Sequence, residues 1–152
     1  AQIIHLSGEL DWPTVQATQS AMHSGHRKDY HAFPYLHEEM GAALAAADLV
    51  VSRAGASSLG EYPLLGLPAV LVPYPHAWRY QKVNADYLAS RGAAVIIEDS
   101  FLKEELLVVV QTLLKEPAKR EAMRASMRAL ARPQAARQIA QQIFELAGEE
   151  RP

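Results

Sequence analysis

The chain has 152 residues, 49% of them hydrophobic, with a formal net charge of −2 and no cysteine. That length and apolar content fit one globular α/β domain with a sizeable core, and the charge gives no electrostatic case for nucleic acid as a partner. The absence of cysteine excludes disulfide frameworks, thiolate zinc sites and cysteine nucleophiles.

The first residue is Ala1, not Met, and a strand-like segment follows at once, so the sequence reads as a piece of a longer protein. No signal peptide is visible, and no apolar run approaches the roughly 20 residues of a membrane span. Gln2–Leu6 is a predicted strand, ended by Ser7-Gly8-Glu9. Trp12–His23 follows as a helix with Asp11 as N-cap and Pro13 in its first turn. Ser24–Asp29 reads as a polar loop, and Tyr30–Phe33 as a short strand that Pro34 ends. Glu38–Ala47 is an alanine-rich helix with Met40, Leu44 and Ala47 on one face.

The stretch Asp48–Asn84 organises the chain. Leu49–Val51 and Ala69–Val72 are short, β-branched and apolar, the signature of buried strands. Between them lie a small-residue turn, Ser52–Ser58, and a short helix, which makes a strand–turn–helix–strand unit with a right-handed crossover. Gln81–Ser90 is the next helix, stopped by Arg91-Gly92. Ala93–Ile97 is a further apolar strand. Ser100 can cap a helix over Phe101–Leu114. Pro117 can start another that runs to Leu130, and Pro133 breaks it before a last helix, Gln134–Ala147. Gly148–Pro152 reads as a frayed end. Strands alternating with helices predict an α/β, Rossmann-like parallel sheet with helices on both faces, one domain over residues 1–147.

The Ser52–Ser58 turn follows a strand end and opens a helix, where open α/β sheets bind ligands. Gly55 allows close approach of the backbone, and Ser57 and Ser58 set hydroxyls and amides toward the opening. These features indicate an anion or nucleotide site. Ser58-Leu59-Gly60-Glu61 has the spacing of a capping box, but the Glu61 carboxylate could instead accept hydrogen bonds from a ribose. Pro63 is awkward inside that helix, because it removes an amide. His76, in the proline-stiffened run Pro73-Tyr74-Pro75-His76, reads as a loop hydrogen-bonding group, with no partner at metal-ligand spacing. A serine hydrolase is disfavoured because the Gly-x-Ser-x-Gly elbow is absent, and the turn is not a Walker loop. Arg120, Arg124, Arg128 and Arg132 form one helix stripe, read as a solvated face or a contact for anionic lipid headgroups. Trp12 and Trp78 read as packing groups.

Several of these pieces recur together in one family. The run Ala47–Ser58 with Glu61, Gly66-Leu67-Pro68, Val72-Pro73-Tyr74-Pro75-His76, Gln81 and Asn84-Ala85 closely resembles the MurG family. These are the family 28 glycosyltransferases that make lipid II in peptidoglycan synthesis. The likeness extends to His5-Leu6-Ser7-Gly8 and Tyr35–Met40. It implies the C-terminal, donor-binding domain of a two-domain GT-B enzyme. It also implies an inverting transfer of N-acetylglucosamine from UDP-N-acetylglucosamine to lipid I, with the general base and acceptor groove in an N-terminal domain.

Carried over by position, Tyr35 and Leu36 offer backbone to the uracil and Ser7 borders the nucleotide. Gly55, Ala56, Ser57 and Ser58 hold the diphosphate, and Glu61 takes the ribose. Tyr80 and Gln81 face the sugar, while Arg53 and His76 shape the pocket. The resemblance implies no bound metal or other cofactor, and peripheral attachment at the inner face of the bacterial membrane. Two departures stand out: Tyr80 replaces the Gln or His that is common there, and the Gly-Gly-Ser loop and strand that usually begin the domain are expected before Ala1.

Overall fold

The computed structural model describes residues 1–76 and 80–148; Trp78 and residues 149–152 of the expected frayed end lie outside the described residues. The chain is α/β, with parallel strand pairs and flanking helices. It divides into two compact units, Ala1–Ala46 and Ala47–Pro152.

In the first unit, β1 (Ile3–Leu6) pairs in parallel with β2 (Tyr30–Phe33), in the register Ile3 to Tyr30 and Leu6 to Phe33. Between them run α1 (Trp12–Ala21) and α2 (Ser24–Arg27), and α3 (Met40–Ala46) follows β2. The segment expected as a polar loop therefore carries a short helix. Its turn is held from both sides: the Gly25 amide donates to His23 Nδ1 at 3.2 Å, and Arg27 donates to the carbonyls of Gln19 and Ser20. Those carbonyls belong to the last turn of α1, where helical partners run out. Asp11 precedes α1 but makes no side-chain cap bond, and Pro13 sits in the first turn.

The second unit carries β3 (Val50–Ser52), α4 (Ser58–Leu65), β4 (Ala69–Leu71), α5 (Tyr80–Ala89), β5 (Ala94–Ile96), α6 (Leu102–Lys115), α7 (Pro117–Ala129) and α8 (Ala135–Ala147). Its sheet has the order β3-β4-β5, all parallel. The central strand is fully buried, as expected for a parallel strand covered on both faces. Val70, Val72, Ile97, Leu113 and Met123 form the core, with Leu49, Val95, Leu102, Leu106 and Val109 packed against it. Full burial of a side chain such as Ile97 stabilises by roughly 1.5–3 kcal/mol before ordering entropy is counted.

Helix ends explain the remaining boundaries. Gly66 closes α4 in the left-handed region, with φ 60°. The backbone there favours glycine, and a Cβ would also lie 2.6 Å from the Arg128 side chain, which would have to shift. Pro63 is tolerated as the sixth residue of an eight-residue helix that ends soon after it. Ser100 does not cap α6: it lies in a 3-10 turn, Asp99–Phe101, and Phe101 takes the cap position without a side-chain bond. The arginine stripe of α7 is not a uniform solvated face. Arg120 donates to the Leu113 and Leu114 carbonyls at 2.7 Å, closing the end of α6. Arg124 donates to the Gly66 carbonyl at 3.3 Å.

Candidate functional site

The turn between β3 and α4 is built by backbone hydrogen bonds. The amides of Ser58, Leu59 and Gly60 donate to the carbonyls of Gly55, Ala56 and Ser57 respectively, a tight winding into the helix. Among the described residues the amides of Ala56 and Ser57 donate to nothing. They stand at the positive end of α4, where N–H groups and the helix dipole favour an anion. Gly55 has no left-handed backbone, and a Cβ built on it would meet nothing within 4 Å. Its glycine thus keeps open space over the turn and is not forced by conformation.

Two serines divide their work. Ser57 is exposed and is the N-cap by position, without a side-chain cap bond. Ser58 is 2% exposed, and its hydroxyl donates back to the Gly55 carbonyl at 2.5 Å. The expected capping box is therefore not formed. The tight turn brings the Gly55 carbonyl within reach of the Ser58 hydroxyl, which stiffens the turn from inside and does not face the opening. Glu61 is exposed in the first turn of α4; its amide donates to the Ser57 carbonyl at 2.9 Å, and its carboxylate makes no hydrogen bond or ion pair among the described residues.

Behind Glu61, the Tyr62 hydroxyl donates to Ser52 Oγ at 2.8 Å, and Ser52 Oγ donates to the Arg53 carbonyl at 2.9 Å. Burial raises the Tyr62 pKa above its ordinary value; the bond to Ser52 opposes this and the Glu61 charge adds to it.

The loop past β4 meets the same region. Arg53 donates to the Val72 carbonyl at 3.2 Å, pairs with Asp99, and lies 5.2 Å from the Tyr74 ring centre. His76 is exposed with its ring 5.4 Å from that of Tyr74. At the start of α5, Gln81 Oε1 accepts from the Tyr74 amide at 2.9 Å. Arg53, His76 and Gln81 are thus brought together around Tyr74. Tyr80 is 75% exposed. One turn on, Asn84 Nδ2 donates to the Ala54 carbonyl at 3.0 Å. A cleft of about 550 Å³ opens here, lined by Pro73, Tyr74, Pro75, Lys82, Glu98, Asp99 and Ser100.

Ser7, Tyr35 and Leu36 belong to the first unit. Ser7 follows β1, where its hydroxyl donates to the Gly8 carbonyl, and it lines a pocket with His5, Asp11 and Thr14. Tyr35 and Leu36 follow β2, and the Tyr35 ring lies 4.8 Å from that of His37. The tethering roles of Asn84 and Asp99 were not assigned from sequence. Asn84 had a signal in its spacing from Gln81, but Asp99 lies 46 residues from Arg53 and had none. Among the described residues no group of three or more His, Cys, Asp or Glu could hold a metal ion.

Residues 1–143 match the glycosyltransferase family 28 C-terminal domain. A Roseiflexus relative is 43% identical over 78% of this chain and 31% of its own length. It is named a UDP-N-acetylglucosamine--N-acetylmuramyl-(pentapeptide) pyrophosphoryl-undecaprenol N-acetylglucosamine transferase. A Chlorobaculum tepidum protein of the same name is 52% identical over 57% of this chain. The crystal structure of Acinetobacter baumannii MurG superposes with a TM-score of 0.79 at 30% identity, covering 95% of this chain and 41% of that one. The glycosyltransferase VinC, solved with dTDP, shares the fold at 21% identity and a TM-score of 0.62. The chain spans about a third of the length of the curated relatives it matches.

Proposed function

This chain belongs to the glycosyltransferase family 28 C-terminal domains, and from that premise we propose that it is the donor-binding part of an inverting N-acetylglucosaminyltransferase. The donor is UDP-N-acetylglucosamine and the acceptor lipid I, so the product is lipid II for peptidoglycan. The observation that carries this reading is the pair of unbonded amides at Ala56 and Ser57, set at the start of α4 with the unpaired Glu61 carboxylate in its first turn.

Each group then has a chemical task. The Ala56 and Ser57 amides and the α4 dipole receive the diphosphate, and gain in strength as the leaving UDP takes up charge. Glu61 accepts from the two ribose hydroxyls. Gln81, with its carbonyl engaged by Tyr74, donates through its NH2 group to the sugar. Arg53 and His76 hold the loop that walls the sugar. The general base and the acceptor groove lie on a part of the enzyme beyond the matched third. The lipid-linked acceptor places the work at the inner face of the bacterial membrane, with peripheral attachment; among the described residues no helix is long and apolar enough to cross a membrane.

Isothermal calorimetry of the 152-residue chain tests this. The expected order is UDP-N-acetylglucosamine ahead of UDP-glucose, with no UDP released when lipid I is added, because catalysis needs both reactants held in register. Equal affinity for the two sugars, or turnover above a no-protein control, would contradict the proposal.

A further inference from the structure

Three strand ends of the second unit are gathered onto one guanidinium. Arg53 follows β3, donates to the Val72 carbonyl just past β4, and pairs with the Asp99 carboxylate just past β5. The same group lies against the Tyr74 ring, a cation–π contact at 5.2 Å. The Tyr74 amide in turn donates to Gln81 Oε1 at 2.9 Å. Contacts therefore run without a break from Asp99 through Arg53 and Tyr74 to Gln81.

That chain has a chemical consequence. A glutamine side chain offers one acceptor oxygen and two N–H donors. With Oε1 engaged by Tyr74, only the NH2 group is left for a ligand, and its direction is fixed. Were the Tyr74 loop to shift, the amide could turn over and present its carbonyl instead. A sugar contact that needs a donor would then meet an acceptor.

We propose that Asp99 and Arg53 are positioning residues for Gln81: they hold the Tyr74 backbone so that Gln81 presents its NH2 group to the donor sugar. This rests on the reading of the site as a UDP-sugar pocket. Neither Asp99 nor Arg53 touches the sugar in this arrangement. Both are partly exposed, with 34% and 44% of their side-chain surfaces accessible, so the pair acts through geometry more than through a large interaction energy.

Two measurements on the 152-residue chain test the proposal. The first is hydrogen exchange at the Tyr74 amide without ligand, in wild type, Asp99→Ala and Gln81→Ala; both variants should exchange faster there. The second is calorimetry with UDP-N-acetylglucosamine and with UDP. Asp99→Ala should weaken the sugar nucleotide by about three- to tenfold, the size of one hydrogen bond, and leave UDP unchanged. In a Gln81→Ala background Asp99→Ala should add nothing, because its effect runs through Gln81. Asp99→Asn, which keeps the shape, should show the same pattern and stands in if Asp99→Ala fails to fold. Unchanged Tyr74 exchange, equal loss of UDP, or additive losses would overturn the positioning role while leaving the pocket reading intact. A wild type that binds neither nucleotide would overturn the pocket reading itself, and the positioning role with it.

Discussion

Asn84 of α5 donates its side-chain amide to the Ala54 carbonyl, 3.0 Å away in space and thirty residues earlier in the chain. This bond ties the start of the β3–α4 turn to the helix that also carries Gln81. Ala54 is fully buried, so its carbonyl has few alternative partners. The phosphate side and the sugar side of the proposed pocket therefore share one tether.

Asn84→Asp keeps the shape but replaces the donor with a carboxylate facing a carbonyl. Losing this bond and leaving the carbonyl unpaired should cost about 1–3 kcal/mol of stability. UDP affinity should fall too, because Ala56 and Ser57 lose the support of their turn. Thermal unfolding and UDP calorimetry on the same sample decide this; wild-type values in both would show that the turn holds its shape unaided.

Glu61→Ala separates ligand binding from helix capping. The carboxylate is exposed and caps nothing among the described residues, so stability should change by no more than about 0.5 kcal/mol. If it grips the ribose, charge-assisted bonds are lost and UDP affinity should drop at least about tenfold. Wild-type protein should bind the 2′-deoxy nucleotide poorly, and the variant should bind it no worse than it binds UDP. A folded Glu61→Ala protein with unchanged UDP affinity would require the pocket to be redrawn.

Tyr62→Phe has a pH signature. Burial raises the Tyr62 pKa above its ordinary value of 10.0, so the unfolded chain ionises this phenol first. The stability contributed by the neutral, hydrogen-bonded phenol is complete below pH 10 and is lost as pH rises through the folded pKa. At neutral pH the variant should be less stable by roughly 0.5–1.5 kcal/mol, through loss of the bond to Ser52. Urea titrations from about pH 9 to 11 should show this gap closing as wild type weakens. Parallel curves across that range would refute the assignment.

Local patterns determined much of this protein. Short β-branched runs marked β3, β4 and β5, because a parallel strand buried on both faces tolerates little else. Gly92 marked a helix end, because the left-handed backbone it adopts disfavours other residues. The motif spacing from Ala47 to Asn84 carried the family. Tertiary structure decided what local spacing leaves open. Ser58-x-x-Glu61 is a capping-box pattern in any chain, yet here the preceding turn offers the Gly55 carbonyl first, and the Glu61 carboxylate is left without a partner among the described residues. The Arg120–Arg132 stripe has solvated-face spacing, yet the end of α6 and Gly66 lie beneath it and take its first members. Asp99 carries no signal at all, because its meaning is its distance to Arg53, and parallel strands bring together ends that the sequence keeps far apart.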